Sequence, residues 1–538
     1  TEKGEFYFIK TAEKNILVKD LLTSILPKAI SSISWKKSMK WSSKNLMWGR
    51  PLRSIFSIFN GKKLTFKYQH LESTDNIIIE QDLITKSKKI KNFKEYFLLL
   101  KSNKIVIDQN ERQKIILKKF NSVSKSKNYK EQYNQRLLEE VVNIVEDPNV
   151  LLVDFDKEYL KIPEEIIIST LEKHQRYFPI FDNRERLTNY FFVVSNKKDE
   201  KKLITEGNKR VVDARLSDAK FFWEKDRSKN LIKQIANLKT ITFYEKIGTI
   251  YDKTQRIRNL ASLLSDELNI NKEKVQVAAS ISKSDLCSDL VGEYPELQGV
   301  MGKYFALAQG FEDDVANSIS EHYLPIGLTS AIPKKPFSYS IAIVDKIDSL
   351  VGFFLINEKP TSSKDPFALR RSAIGLLRII IENKLSIRLR DLINYAIRLY
   401  EEQGVEVKNE NTETEVLDFL KERMRNILKL KNIKIDIIEA SISSHNGDNF
   451  LDLYKKNILM NKYINKDVGI NAISSYKRAS NITDKVEKKI TGRPDAVLFR
   501  TEEEKILFEK INEIRKAFTV KESNKDYENL LIRLSETK

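Results

Sequence analysis

The hydrophobic positions of this chain follow two different periods, and the change from one to the other divides the sequence. Before about residue 207, short apolar runs such as FYFI (6–9) and NYFFVVSN (189–196) are typical of β-strands and alternate with helical segments. After it, strand-like runs become scarce, and apolar residues recur every three or four positions, as in amphipathic helices. The pattern predicts a multidomain α+β protein with a mixed α/β region in front and all-α regions behind.

Three segments of the front region carry more specific patterns. The run 111–147 is amphipathic and rich in lysine, which predicts a long helix or a helix pair that ends before Pro148. Residues 161–175 contain Pro163 followed by two glutamates, as helix N termini do. RYFPIF and NYFFVVSN flank the polar turn DNRERLT and predict a β-hairpin. His174 then lies where the helix ends and the hairpin begins.

Length and composition narrow the class of protein. A chain of 538 residues is too long for one hydrophobic core, and we expect three domains, at 1–206, 207–390 and 391–538. No apolar run in the sequence approaches the roughly 18 residues needed to cross a membrane. The single cysteine, Cys287, excludes a disulfide framework and a cysteine-based zinc site. These properties predict a cytoplasmic protein.

The charge is distributed unevenly along the chain. The formal net charge is +19 at pH 7, of which residues 1–130 carry +17 and the rest only +2. This asymmetry favours a polyanionic partner, because neutralising phosphates releases counterions and strengthens binding. The alternative is that an AT-rich coding sequence supplies much of the lysine, which is then ordinary solvated surface.

The sequence lacks the signatures of a self-contained catalyst. It contains no glycine-rich phosphate-binding loop, and no nucleophile–base pair is apparent. None of the histidines, His70, His174, His322 and His445, is followed by aspartate or stands in a recognised metal-binding spacing. The sequence therefore favours a binding protein.

Arginines fall at unusual positions on two predicted helices. In the helix 213–226, Arg215 falls inside the apolar arc, and Asp218 at its edge can pair with it. In the helix that follows Asp365, Arg370 also falls inside the apolar arc. Because a buried guanidinium requires an anion, we expect structural ion pairs at Arg215 and Arg370. The acidic candidates for Arg370 are Asp285, Asp345 and Asp348.

Arg371 and Arg378 share the opposite side of the second helix, with a glycine between them. A small residue between two arginines suits close approach of a phosphate. An ordinary solvated helix face is the alternative.

Many segments of the chain resemble the β subunit of the bacterial heterotetrameric glycyl-tRNA synthetase. The longest are DARLSDAKFFWEKD (213–226) and KDPFALRRSAIGLLRIIIE (364–382). Others, in the family's order, are RPLRSIFSIFNGK, LLEEVVNIVEDPNVLLVDF, IPEEIIISTLEKHQRYFPIFD, SKSDLCSDLV and YKRASNIT. The resemblance covers nearly the whole chain. Since the family usually has a further N-terminal segment and closing C-terminal helices, we expect the first domain to be truncated and the last to be incomplete.

The resemblance implies a function and partners. In this family a separate class II α subunit holds ATP, magnesium and glycine, and the β subunit binds tRNA(Gly) within an α2β2 heterotetramer. This implies a required but non-catalytic subunit of an aminoacyl-tRNA synthetase, with no cofactor, metal or complete active site of its own. It also implies a B3/4-like α+β region, then a helical HD-like domain, then a helical anticodon-binding domain.

The implied HD-like domain departs from a metal-dependent hydrolase. Such enzymes hold divalent ions with histidines and a His-Asp pair. Here a serine precedes Asp285 at the position of that pair, and Asp345 or Asp348 would be the distal aspartate. We expect Lys283 and Arg370 to neutralise these carboxylates as structural ion pairs, in place of a metal.

The resemblance also implies tRNA contacts. At the junction of helix and hairpin, Lys173 and Arg176 are better candidates for phosphate contact than His174 is for proton transfer. The candidates on the anticodon side are Lys477, Arg478 and Asn481, whose alternative role is helix packing. Two other functions stay open, an HD-type metal-dependent phosphohydrolase and a generic RNA-binding scaffold.

Overall fold

The computed structural model describes residues 17–41, 46–81, 84–130, 132–361, 364–444, 447–483, 494–518 and 527–537. His445 lies outside the described residues. Contacts divide the chain into two compact units, one comprising Thr1–Lys157 and Thr170–Asp213, the other Glu158–Ser169 and Ala214–Lys538. The first unit mixes helices and sheets and the second is mostly helical, which confirms the predicted α+β class. The three domain borders and the B3/4-like and HD-like assignments stay predictions.

The first unit contains short strands, a longer antiparallel sheet and several helices. Its elements are α1 (Val18–Ser31), β1 (Met39–Lys40), β2 (Met47–Trp48), β3 (Ile55–Phe56), β4 (Ile58–Phe59), β5 (Lys62–Lys63), β6 (Lys67–Tyr68), β7 (Leu71–Thr74), β8 (Asn76–Gln81), β9 (Ile84–Lys89), α2 (Phe93–Ser102), α3 (Gln109–Lys127), α4 (Gln135–Ile144), β10 (Asn149–Asp154), β11 (Phe178–Phe181), β12 (Leu187–Ser195) and the start of α6 (Leu203–Arg227).

The core of the first unit forms where helices cover one face of an antiparallel sheet of order β10-β12-β11. Because side chains alternate across a strand, Phe191 and Phe192 of β12 face opposite sides. Phe192 stacks on Phe120 of α3, with ring centroids 4.5 Å apart, whereas Phe191 stacks on Tyr177 at 5.3 Å. The predicted hairpin is confirmed as β11 and β12. The lysine-rich run 111–147 is a helix pair, since α3 ends where Asn128 turns to a positive φ of 57°.

The second unit is built around helices. Its elements are α5 (Glu164–Ser169), the rest of α6, α7 (Leu231–Gln234), β13 (Thr242–Tyr244), β14 (Gly248–Thr249), α8 (Ile250–Leu268), α9 (Lys272–Ile281), α10 (Asp289–Glu293), α11 (Val300–Ala308), α12 (Asp313–Glu321), α13 (Pro336–Leu355), α14 (Leu369–Glu382), α15 (Leu389–Glu402), α16 (Thr412–Leu430), α17 (Ile435–Ser444), α18 (Phe450–Tyr463), α19 (Asp467–Thr483), α20 (Glu502–Phe518) and α21 (Tyr527–Ser535).

Helix α13 is the centre of this unit. It is apolar on nearly all sides and packs against α8, α9, α12, α14, α15 and α16. A helix that is apolar all round must be buried, so any charged residue that it carries needs a partner inside the protein. Within the described ranges, every helix is too short or too polar to span a membrane.

Candidate functional site

A group of charged side chains lies inside the second unit, where α8 and the segments after α9 and α12 meet α13. We call this group the buried ionic cluster. Its members are Lys253, Arg256, Lys283, Asp285, His322, Asp345, Lys346 and Asp348.

Arg256 and Asp348 form its most enclosed ion pair, with both side chains fully buried. Nε of Arg256 donates to Oδ1 of Asp348 at 2.6 Å and Nη2 donates to Oδ2 at 3.3 Å, while Nη1 donates to Gln403. The guanidinium also lies 3.8 Å from the centre of the Tyr400 ring. Burial alone would lower the pKa of Arg256, but the Asp348 carboxylate outweighs it and raises that pKa. The pair therefore stays ionised inside the unit.

Asp345 lies between two ammonium groups. Its Oδ1 is 3.3 Å from Nζ of Lys253 and 3.2 Å from Nζ of Lys283. Lys253 also donates to Asp348 at 3.0 Å and to Ser349 at 2.8 Å. Burial alone would raise the pKa of Asp345, but the ammonium charges of Lys253 and Lys283 outweigh it and hold that pKa well below its usual range.

His322 is fully buried in the same cluster. Its Nε2 is 2.8 Å from Nζ of Lys283, and its Nδ1 is 3.2 Å from the carbonyl oxygen of Ser318. Burial, together with the charge of Lys283, lowers the pKa of His322 well below its usual value. Lys346 donates to the carbonyl oxygens of His322 and Leu324, and burial lowers its pKa to about 8. These groups bind one another and have little access to solvent.

Asp285 is the member of the cluster whose charge is least neutralised by its neighbours. Its Oδ2 accepts hydrogen bonds from the backbone N–H groups of Gly299 and Gly302, and its Oδ1 has no hydrogen-bond partner among the described residues. Burial raises the pKa of Asp285 to about 6. A Cβ at Gly302 would lie 3.0 Å from the Asp285 carboxyl carbon, so glycine permits this close approach.

The ion pairs differ from the predicted set at Arg370. Lys283 contacts Asp345, but the Arg370 guanidinium donates to the carbonyl oxygen of Thr361 and forms no ion pair with an aspartate of the cluster in the described part of the chain. Lys253 and Arg256, which sequence reasoning missed, neutralise Asp348 instead. The missed pattern is on α8, where Lys253 falls inside the apolar arc and Arg256 falls at its edge.

The predicted pair of Arg215 with Asp218 is also wrong. The side chain of Arg215 is 47% exposed and pairs with Glu293 at 3.4 Å. The buried arc of α6 consists of Val212, Leu216, Ala219 and Trp223. Arg215 lies beside that arc, next to the half-buried Phe222, so its guanidinium reaches the surface.

The candidate contacts at the helix-to-hairpin junction are partly engaged within the protein. Arg176, which has a positive φ of 61°, donates through Nε to Glu140 at 2.6 Å and also to the carbonyl oxygen of Lys173. Lys173 is exposed, and His174 is half-buried at the end of a π-helical turn. Arg176 would therefore have to leave Glu140 to bind a phosphate.

The remaining candidates differ in their exposure. Arg378 is only 16% exposed and is held by Glu382 at 2.8 Å and the carbonyl oxygen of Gly327 at 3.1 Å, whereas Arg371 is exposed. Arg378 is thus part of the packing of the helical unit, and the two arginines do not form a matched pair. Exposed positions on α19 are occupied by Lys477, Arg478 and Asn481.

No group of three or more histidine, cysteine, aspartate and glutamate side chains is arranged to hold a metal ion in the described ranges. The carboxylates of the cluster instead face ammonium, guanidinium and backbone N–H groups. Such a site can fix helices in place.

Comparison with known proteins identifies the family of the chain. The family described as "Glycyl-tRNA synthetase beta subunit" matches residues 1–443. A "Glycine--tRNA ligase beta subunit" of Rickettsia canadensis (strain McKiel) is 38% identical over 533 residues, which cover 98% of this chain and 77% of the relative. The protein of the same name from Clostridioides difficile (strain 630) is 34% identical over 515 residues, 95% of this chain and 74% of the relative. The chain belongs to the family of glycyl-tRNA synthetase beta subunits.

Proposed function

We propose that this chain is the tRNA-binding β subunit of a glycine–tRNA ligase. It positions tRNA(Gly) for ATP-dependent glycylation by a separate class II α subunit, which holds ATP, Mg²⁺ and glycine in an α2β2 heterotetramer in the cytoplasm. The observation that carries this proposal is family membership over nearly the whole chain, with relatives named as beta subunits of this ligase.

The buried ionic cluster supports a non-catalytic role for the chain. Its titratable groups are largely enclosed and are held by one another or by backbone groups, so they are poorly placed to exchange protons with a substrate. The contribution of the chain to rate would then come from holding the tRNA acceptor end in a productive orientation, which alone lowers a barrier substantially. The same pairing argues against an HD-type phosphohydrolase, because ammonium and guanidinium groups already neutralise Asp345 and Asp348.

The proposal is tested by co-purification with the α subunit and a glycylation assay. The mixture is expected to charge tRNA(Gly) on the order of 10²-fold faster than α alone, since positioning can supply this much. The matched control is α with an unrelated basic protein of similar size. Equal charging by α alone, or failure of the two chains to associate, would refute the proposal.

Replacing His174 with alanine is expected to change the glycylation rate by less than about tenfold. His174 is half-buried at a junction, so truncating it should change the glycylation rate little, whereas loss of a general base lowers rates by about 10²–10⁴-fold. The measurement is the glycylation rate of the α/β mixture, with the exposed His70→Ala as control. A fall within the range of a missing general base, seen for His174 alone, would establish a catalytic histidine on this chain.

A further inference from the structure

Helix α3 presents a row of lysines to solvent. At 100° per residue, Lys114, Lys118 and Lys125 lie within about 40° of one another and extend over about 17 Å of the helix. All three side chains are exposed, and none forms an ion pair with a carboxylate among the residues that the structure describes. We call these three residues the α3 lysine face.

The opposite side of the helix fixes this face in place. Ile116, Phe120 and Ser124 are buried against the sheet of the first unit. Arg112 donates through Nε to the carbonyl oxygen of Val142 at 2.8 Å, with a further bond from Nη1 to Val106. The lysines are therefore mounted on a rigid element, which limits the loss of backbone entropy when a ligand binds.

The charges of the α3 lysine face are not paired with carboxylates among the described residues. Exposed lysines of the second unit are commonly paired, as Lys272 is with Asp266 at 3.0 Å and Lys335 is with Asp314 at 2.8 Å. Lys114 and Lys118, in contrast, are four residues apart, and like charges at this spacing destabilise a helix. Lys125 lies in the last turn, where a cation is favourable without any ligand, so Lys114 and Lys118 are the residues that favour an anionic partner.

The chemistry of the face suits a phosphate backbone better than a protein. Its neighbours on the same side are Glu111, Asn121 and Ser122, and one aliphatic side chain, Ile115, is exposed at its border. Centres of protein interfaces are depleted in lysine and enriched in aromatic residues, whereas ammonium groups on a polar surface bind phosphates of any sequence. The +17 charge of residues 1–130 adds a long-range attraction for the same kind of partner.

We propose that the α3 lysine face binds the sugar-phosphate backbone of tRNA, independently of its sequence. This inference rests on the proposed function, for which it names a contact surface. Each lysine neutralises one phosphate and displaces its counterions, so the contact contributes to affinity and to salt dependence but not to the choice among tRNA species.

The test measures tRNA affinity against salt concentration for the full chain. The variant Lys114→Gln/Lys118→Gln/Lys125→Gln keeps helix propensity and removes three charges. The matched control, Lys272→Gln/Lys274→Gln/Lys335→Gln, removes three charges from lysines that are paired with carboxylates. Binding of a tRNA(Gly) transcript and of a second tRNA is measured from about 50 to 200 mM salt, the range over which phosphate contacts dominate.

The α3 substitutions are expected to lower the magnitude of the slope of log K against log [salt] by about 2–3 for both tRNAs. They are also expected to weaken the affinity for both tRNAs near 0.1 M salt by about 10²-fold. The control is expected to keep the wild-type slope. An unchanged slope in the α3 variant, while the wild-type chain supports glycylation with α, would overturn this inference alone. Loss of association with α at unchanged tRNA affinity would also overturn it and assign the face to the partner subunit. If the wild-type chain neither binds tRNA nor supports glycylation, the proposed function fails as well.

Discussion

Replacing Asp348 with alanine is expected to lower the free energy of opening of helices α8 and α13 by about 3–5 kcal/mol. The substitution leaves the fully buried guanidinium of Arg256 without its carboxylate, and the remaining contacts with Tyr400 and Gln403 cannot replace a charge. Lys253 keeps Asp345, so Arg256 is the main group left unpaired. The opening free energy is read from hydrogen exchange of the slowest amides of α13, which report the most stable part of a unit.

Two further variants show whether the effect comes from the buried charge. Asp266→Ala breaks the exposed pair with Lys272 and is expected to cost less than about 1 kcal/mol. The double variant Arg256→Met/Asp348→Leu removes both charges and is expected to recover much of the loss, because apolar residues of similar volume can replace a buried pair. If Asp348→Ala costs no more than Asp266→Ala, the Arg256–Asp348 pair is accessible to water in solution and our description of the cluster is wrong.

Raising the pH from about 4 to about 7 is expected to destabilise the second unit by up to about 3 kcal/mol through Asp285. Burial raises the pKa of Asp285 to about 6, above the ordinary value of 3.8, so the folded protein holds this proton more tightly than the unfolded chain does. The stability that the proton contributes is complete below pH 3.8 and is lost as the pH rises through 6. At higher pH the folded state carries a buried carboxylate with one unpaired oxygen.

The variant Asp285→Asn isolates this effect. The amide keeps an oxygen for the N–H groups of Gly299 and Gly302 but does not titrate. His322, whose pKa is lowered, acts in the opposite sense below its ordinary pKa of 6.5, since protonation of the unfolded chain there costs stability. The measurement is therefore the difference between urea midpoints of wild type and variant at each pH. Asp266→Asn serves as the control, and parallel curves for Asp285→Asn and wild type would contradict the prediction.

The sequence predicted those elements whose pattern is local. The β-hairpin was predictable because two apolar, aromatic-rich runs flank a polar turn, in which the Asp182 carboxylate accepts from the backbone N–H groups of Arg184 and Arg186. The start of α14 was predicted near Asp365 but lies at Leu369. The carboxylate of Asp365 still accepts hydrogen bonds from the N–H groups of Leu369 and Arg370, across a turn in which Ala368 has a positive φ.

The buried ionic cluster could be predicted only in part. Sequence patterns place a charge on the apolar side of a helix, as for Lys253, but the partner Asp348 lies on another helix and is brought near only by packing of α8 on α13. For Arg370, in contrast, an ion pair was predicted that does not form among the described residues. Arg370 is only half-buried, so water can solvate its guanidinium; it donates to the loop carbonyl oxygen of Thr361 and needs no aspartate. The face of a helix on which a side chain lies depends on local sequence, whereas its ion-pair partner depends on tertiary structure.

The hydrogen bonds around His322 also set a direction for protons. The carbonyl oxygen of Ser318 can only accept, so the ring hydrogen must lie on Nδ1, and Nε2 must accept from Lys283. In the other tautomer, Nδ1 would have no hydrogen to donate to the Ser318 carbonyl oxygen. The N–H of Nε2 would then face the ammonium group of Lys283. One tautomer is therefore fixed. The hydrogen-bond chain from Lys283 through the imidazole ends at the Ser318 carbonyl oxygen, which has no proton to pass on.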